Sequence, residues 1–293
     1  MISAQSLFNK FLSTQSRQQE KIWLLLRQHK LKTSDPIIQW NYHESVLDIN
    51  LSHDLPFNLK QFPLYSQNLG KVAGIIQTKY PKAGIIDVGA NIGDSVAVIR
   101  HCSEAPVLCI EGNPKFIPLL QKNAAQWKDI HMEFCFVGEK ETKVQPMNNL
   151  GTAWLKEDES GIPVRTISSV IKNHSAFAQA KLIKIDTDGF DNQIIRGAKE
   201  FLQEAKPGIF FEYDPYFLAK QNERGPEILD FLEQLGYQTL HIFDNLGHYL
   251  IKLNINEKAH FDQLHNYFNR NGSMYMDIWA VHQNDADLDT SSL

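Results

Sequence analysis

Hydrophobic positions follow two different rhythms along the chain. Within residues 1–34, Leu7, Phe8, Phe11 and Leu12 form one helical stripe, and Ile22, Trp23, Leu25 and Leu26 form another. Leu47, Ile49 and Leu51 then alternate with Asp48 and Asn50, which predicts a short half-buried strand. Pro56 and Pro63 punctuate a connection, and Leu69, Val72, Ala73 and Ile76 return to helical spacing before Pro81. Glycine is absent from the first 69 residues. The pattern predicts a mainly helical N-terminal extension or cap over residues 1–66.

From Gly84 the rhythm changes to short apolar runs alternating with amphipathic stretches. Strands are predicted at Ile85 to Gly89, Val107 to Glu111, Ile130 to Val137, Val164 to Ile167, Leu182 to Asp186 and Ile209 to Tyr213. Helices separate them, one carrying Leu119, Leu120, Ala124 and Trp127, another Ile194, Ile195, Ala198, Phe201 and Leu202. Tyr237 to Phe243 and Tyr249 to Leu253 flank Asp244-Asn245-Leu246-Gly247, a hairpin signal, and Met274 to Val281 is a last strand. The fold class expected is α/β: a Rossmann-like, mostly parallel seven-stranded sheet with helices on both faces and an antiparallel C-terminal strand or hairpin. The domain is placed at residues 67–282, with an acidic flexible tail at 283–293.

Composition narrows the function. The chain has 293 residues, 43% hydrophobic and 22% charged, enough for a sizeable core and unlike a disordered chain. A net charge of −5 supplies no basic stripe, so no nucleic acid partner is expected. Asp285, Asp287 and Asp289 account for most of that charge. Cys102, Cys109 and Cys135 lack metal-type spacing and read as reduced core thiols of a cytoplasmic protein. The longest early apolar run, Ile22 to Leu26, is far too short for a transmembrane segment.

Asp87-Val-Gly-Ala-Asn-Ile-Gly93 sits where the first core strand turns into a helix. Glycine there lets a ligand approach the backbone, and the helix start offers free amides. A dinucleotide fingerprint would need glycines at 89, 91 and 94, but the chain has Asn91 and Asp94, so a pyrophosphate does not fit the spacing. Glu111 ends the next strand 22 residues after Gly89, where a carboxylate can accept both hydroxyls of a ribose. The two features imply a nucleoside-bearing cofactor without a diphosphate, and S-adenosylmethionine meets both conditions. Candidate cofactor-binding residues are Asp87, Gly89, Ala90, Asn91, Gly93, Asp94, Glu111 and Asn113.

On these residues the chain resembles the FkbM-type methyltransferases, a branch of the class I S-adenosylmethionine-dependent enzymes. The resemblance is carried by IIDVGANIGDSV (85–96), VLCIEGNPKFIPLLQKN (107–123), VRTISSVI (164–171), LIKIDTDGFDNQIIRGA (182–198) and MYMDIWAV (274–281). Gly112 departs from it, since the family more often has proline after the ribose glutamate. The stretch LPFNLKQFPLYSQNL (55–69) resembles the lead-in of relatives found near sugar-polymer genes. The resemblance implies O-methylation of a sugar hydroxyl in a glycan or glycoconjugate, within polysaccharide biosynthesis.

Asp186, Asp188 and Asp191 cluster at the carboxyl end of a buried strand, the edge where open parallel sheets bind ligands. Methyl transfer to a hydroxyl needs close approach and a group to take the proton. Asp186 and Asp188 are the catalytic candidates, and the cluster could instead hold a hard divalent cation. Asp191 also suits a helix start, where acids are favoured. Glu212, at the end of the next strand, and Tyr213, as a stacking surface, join Asp191 as acceptor-pocket candidates. His241 and His248 flank the hairpin turn and could meet across it, though no carboxylate or cysteine completes a ligand set. Trp23, Trp40 and Trp127 read as packing residues. The extension suits an acceptor lid or the contact of a homo-oligomer. Two other readings stay open: a nucleotide-sugar dehydrogenase or epimerase on a similar sheet, and a non-catalytic carbohydrate-binding or scaffold relative.

Overall fold

In the computed structural model, which describes residues 2–147, 154–158, 160–270 and 274–293, the extension begins with α1 (Ala4–Ser13) and α2 (Arg17–Leu31). Ser3 caps α1 by accepting from the Ser6 amide. A hairpin follows, β1 (Ile37–Tyr42) against β2 (Ser45–Asn50), then α3 (Leu55–Gln61) and α4 (Gln67–Lys79). The extension is therefore helical with a hairpin inserted. The first hairpin strand carries the same alternation, with Ile38, Trp40 and Tyr42 inward and Gln39 and Asn41 outward, a strand signal that the helical stripes around it overshadowed.

The domain proper alternates as expected: β3 (Ile85–Val88), α5 (Asp94–Cys102), β4 (Val107–Ile110), α6 (Ile117–Ala124) and β5 (Ile130–Glu133). The run expected to continue to Val137 breaks after Glu133 and restarts as β6 (Phe136–Val137), which joins β7 (Thr142–Met147), β8 (Trp154–Glu157) and β9 (Ile162–Arg165) in a separate four-stranded sheet. The strand expected at Val164 to Ile167 is β9, ended by Thr166, which caps α7 (Ile167–Asn173). The chain then runs through β10 (Leu182–Ile185), α8 (Asp191–Gly197), α9 (Lys199–Ala205), β11 (Gly208–Tyr213), α10 (Pro215–Lys220) and α11 (Ile228–Gln234). It closes with β12 (Tyr237–Asp244), β13 (Tyr249–Asn254), α12 (Lys258–Phe268) and β14 (Met276–His282).

The main sheet has the order β13-β12-β14-β11-β10-β3-β4-β5. Its five strands from β11 to β5 are parallel, and β14, β12 and β13 add antiparallel. The eighth strand is the second arm of the C-terminal hairpin. Chain direction across the sheet reverses between β3 and β10, and the crevice at that reversal is where doubly wound sheets bind ligands.

Each face of the sheet carries its own core. Ile86, Val88, Ile183, Ile185, Phe211 and Tyr213 belong to one. Ile85, Leu182, Phe210 and Trp279 belong to the other, which also takes in Leu7, Phe8, Trp40, Leu47 and Ile49 of the extension. The extension thus shares a core with the domain. By contrast α2 buries none of its residues, and Ile22, Leu25 and Leu26 stand exposed on it.

Residues 283–293 are not a free tail. Asp285 is buried, accepts from Lys79 Nζ at 2.8 Å and from the Tyr80 hydroxyl, and Leu288 and Leu293 pack onto the core. Asp285 and Asp287 are anchored by Lys79 of α4, whereas Asp289 stays exposed and accepts from the Ser291 amide. Asp285→Ala, which strips a buried acceptor from two donors, should cost about 1–3 kcal/mol in a urea melt. A free tail would leave the midpoint unchanged. Of the three cysteines, Cys109 and Cys135 are buried and Cys102 is exposed, which corrects the reading of all three as core thiols. No helix among the described residues is long and apolar enough to cross a membrane.

Candidate active site

The turn after β3 is shaped by backbone rather than side chains. Gly89 and Gly93 have φ of 73° and 88°, and Asn91 also lies in the left-handed region at 47°. A Cβ on Gly89 would overlap the backbone carbonyl oxygen of Asp186, so only glycine lets the β3 and β10 turns touch. Ala90 is buried beneath the loop.

Beside this turn lies a cavity of about 160 Å³ lined by Ile110, Glu111, Asn113, Phe116, Phe136 and Phe190. Glu111 accepts from the Asn91 amide at 2.8 Å and the Asn113 amide at 2.7 Å. Its carboxylate therefore ties two loops together and keeps two lone-pair directions for a ligand. Burial raises its pKa, against the lowering effect of those amides. Gly112 lies under the Phe136 ring, which leaves no room for a side chain there.

A larger cavity, about 400 Å³, opens on the extension's side of the sheet. Six carboxylates line it: Asp94, Asp186, Asp188, Glu212, Asp214 and Asp277. Tyr42, Tyr65 and Asn68 come to it from the extension and the start of α4. Tyr65 and Tyr275 share a hydroxyl contact of 2.9 Å, and Asn68 donates to Asp277 at 3.0 Å. Gly89, Asn91, Asp186 and Asp188 line both cavities, so the two spaces meet at the β3 and β10 turns.

Strand register explains the carboxylate face. Lys184 stands opposite Asp87, and Glu212 opposite Asp277. Period-two alternation puts Glu212 on the cavity side and turns its neighbour Tyr213 to the other face. There the Tyr213 hydroxyl meets His265 Nδ1 at 2.8 Å within the core, so Tyr213 lines neither cavity and is not an acceptor-stacking surface.

Asp191 is also removed from the pocket: it is 1% exposed, accepts from the Gly189 amide at 3.1 Å, and so holds the turn that carries Asp188. Asp87 is fully buried, accepting from Ser95 and paired with Lys184 at 3.2 Å. It supports the loop from below and lines neither cavity.

Lys184 is a site residue that sequence reasoning missed. It donates to the Gly89 carbonyl at 3.0 Å and lies 3.5 Å from Asp186. Burial works to lower its pKa, but Asp87, Asp186 and Asp94 outweigh that and hold the ammonium above the ordinary lysine range. The available signal was a lysine inside an otherwise apolar, fully buried strand, Leu182-Ile-Lys-Ile185.

The carboxylates crowd one another. Burial, then Asp186 and Asp214, push Asp188 up to about 6. Burial, then Asp186, push Asp277 up to about 7. Burial, with Asp186, Asp191, Asp188 and Asp277 behind it, holds Glu212 well above the usual range, and burial raises Asp94 as well. Asp188 has a φ of 51° and no ion-pair partner among the described residues. The cation expected at Asp186, Asp188 and Asp191 does not find its ligands there. Among the described residues the one group of three whose ligand atoms converge within 4.8 Å is elsewhere, at His43, Glu44 and His101.

His241 and His248 take separate partners, the Tyr249 hydroxyl at 3.1 Å and Asp244 at 3.3 Å. Trp40 stacks on Tyr42 at 4.3 Å and the Trp127 indole donates to Ser45, both as packing residues.

Residues 87–239 match the family model described as the methyltransferase FkbM domain. No curated protein matches the chain. Among solved structures, a methyltransferase FkbM from Methylobacillus flagellatus is 23% identical over 53% of this chain and 36% of its own, with a TM-score of 0.37. A precorrin-6y C5,15-methyltransferase from Geobacter metallireducens is 12% identical over 72% and 88%, at 0.38. M. jannaschii TYW2 in complex with AdoMet is 11% identical over 85% and 88%, at 0.41. The chain thus spans about a third of the length of that FkbM structure.

Proposed function

Because this chain belongs to the FkbM methyltransferase family, matched over more than half its length, we propose that it transfers the methyl group of S-adenosylmethionine to a sugar hydroxyl. The acceptor would be a glycan or glycoconjugate, in the setting of polysaccharide biosynthesis. The observation that carries this reading is the meeting of two cavities at Gly89, Asn91, Asp186 and Asp188. A transferase of this kind needs donor and acceptor chambers that open onto one another at the reacting atoms.

The smaller cavity suits a nucleoside. Glu111 offers paired acceptor directions for a ribose diol, and Phe116, Phe136 and Phe190 offer apolar walls for a base. The orphaned, buried Oδ1 of Asn91 lacks a donor, which an ammonium or amide of the cofactor would supply. When bound, S-adenosylmethionine supplies an activated methyl group on a positively charged sulfur. The surrounding carboxylates favour such a cation.

The larger cavity suits a polyol. Carboxylates accept hydrogen bonds from hydroxyls, and Tyr42, Tyr65 and Tyr275 add aromatic surface. Asp188, which lines both cavities, would take the acceptor's hydroxyl proton at its carboxylate. Asp186, held beside Lys184, orients the acceptor. Asp87, Lys184 and Asp191 position the two turns.

Calorimetry with S-adenosylmethionine and with NAD separates this reading from a dehydrogenase or an epimerase. Binding of the first alone is expected, and failure to bind it overturns the proposal. Glu111→Ala removes two amide acceptors and the ribose contact, so cofactor affinity should fall about 10–100-fold. Unchanged affinity would remove Glu111 from the donor site.

A further inference from the structure

Beside the larger cavity but not lining it, the extension meets the domain through a group of unusual composition. His43 and Glu44 form the tip of the β1–β2 hairpin, since the register closes at Tyr42 opposite Ser45. His101 projects from the last turn of α5. The His43 and His101 rings stack with centroids 4.3 Å apart and planes 21° apart, and both Glu44 carboxylate oxygens lie 2.9–3.1 Å from His101 Nδ1. One donor atom from each of the three residues falls within 4.8 Å of the others. His43 Nε2 is buried and makes no hydrogen bond of ordinary geometry, with the Gln67 side chain beside the ring.

We propose that His43, Glu44 and His101 bind a divalent transition-metal cation of the zinc class, which pins the N-terminal hairpin to α5. Two imidazole nitrogens and one carboxylate, with a fourth position open to water, are a donor set zinc accepts, whereas magnesium and calcium prefer oxygen alone. Coordination at about 2.0–2.1 Å per nitrogen requires the three groups to draw together. Glu44 and His101, with side chains 73% and 45% exposed, are free to do so by rotamer change. A surface His–Glu pair by itself contributes little and gives no reason for a second imidazole stacked on the first.

The site is connected to the acceptor cavity through one residue. Tyr42 precedes His43, its ring lies 4.5 Å from the His43 ring, and it lines the larger cavity. A metal at the hairpin tip therefore fixes part of the acceptor wall without touching the reacting groups.

The test uses the full chain without a histidine tag, stripped with chelator and titrated with zinc chloride in a calorimeter. One equivalent per chain and a raised melting temperature are expected. His101→Ala and His43→Asn, the latter keeping a residue that tolerates left-handed backbone, should each weaken zinc binding at least about tenfold. Both should bind S-adenosylhomocysteine as the wild type does, which shows the fold intact. Failure of the wild type to take up zinc, or unchanged zinc affinity in His101→Ala, overturns the proposal. Neither result bears on the methyltransferase reading.

Discussion

An Asp188→Asn enzyme should still bind S-adenosylmethionine but turn over about 10²–10⁴-fold more slowly, the contribution of a general base. The substitution suits the site because Asp188 sits at a φ of 51°, a conformation that asparagine adopts readily. Its carboxylate is pushed up to about 6 by burial, Asp186 and Asp214, close to the value that best serves proton transfer at neutral pH. The sign follows directly: below about 6 the group is protonated and cannot accept, so kcat should rise with pH through that value and then level. Asp188→Asn should abolish that limb. Single-turnover kinetics from pH 5 to 8 would show both effects, and a variant that keeps the wild-type rate and limb would exclude Asp188 as the base. Asp186→Ala should also abolish transfer, by losing the group that orients the acceptor, while circular dichroism stays unchanged.

Gly89→Ala is expected to do its damage through the backbone. A left-handed alanine costs about 1–2 kcal/mol. The added Cβ also overlaps the Asp186 carbonyl oxygen, a backbone atom that no rotamer change can move aside. Overpacking of this sort adds about 1–3 kcal/mol. The β3 and β10 turns must separate, so both the melting temperature and cofactor affinity should fall. Gly93→Ala is the informative control. Its φ is also positive, yet the nearest atoms to an added Cβ are side chains of Leu120 and Trp127 at 3.4–3.5 Å. Equal losses in the two variants would show that contact between the turns is not what Gly89 protects.

Much of the donor side was legible because it is local. The strand, the glycine turn and the acid 22 residues later are contiguous signals, and Glu111 stands against the loop it was assigned to. The acceptor side was less legible because register decides it. Tyr213 and Glu212 are neighbours in sequence and opposites in space, and Asp277 reaches the pocket only because β14 pairs antiparallel with β11. Asp191 looked like a third member of a cluster, but the helix it starts carries it into the core. Lys184 was hidden by its surroundings, and its role appears once Asp87 is seen directly across from it. The tail was misjudged for the same reason, as Asp285 finds its cation on α4, some two hundred residues earlier.

The acid-lined cavity straddles the limits of the family match. Glu212 and Asp214 come from within residues 87–239, while Tyr42, Tyr65, Asn68, Tyr275 and Asp277 come from outside it. On the proposed reading, the acceptor wall therefore combines residues of the matched segment with residues that flank it. A chimera that receives another member's residues 36–69 should inherit that member's acceptor preference and keep its own cofactor. In such a family, relatives that look alike over the matched segment are free to diverge in what they modify.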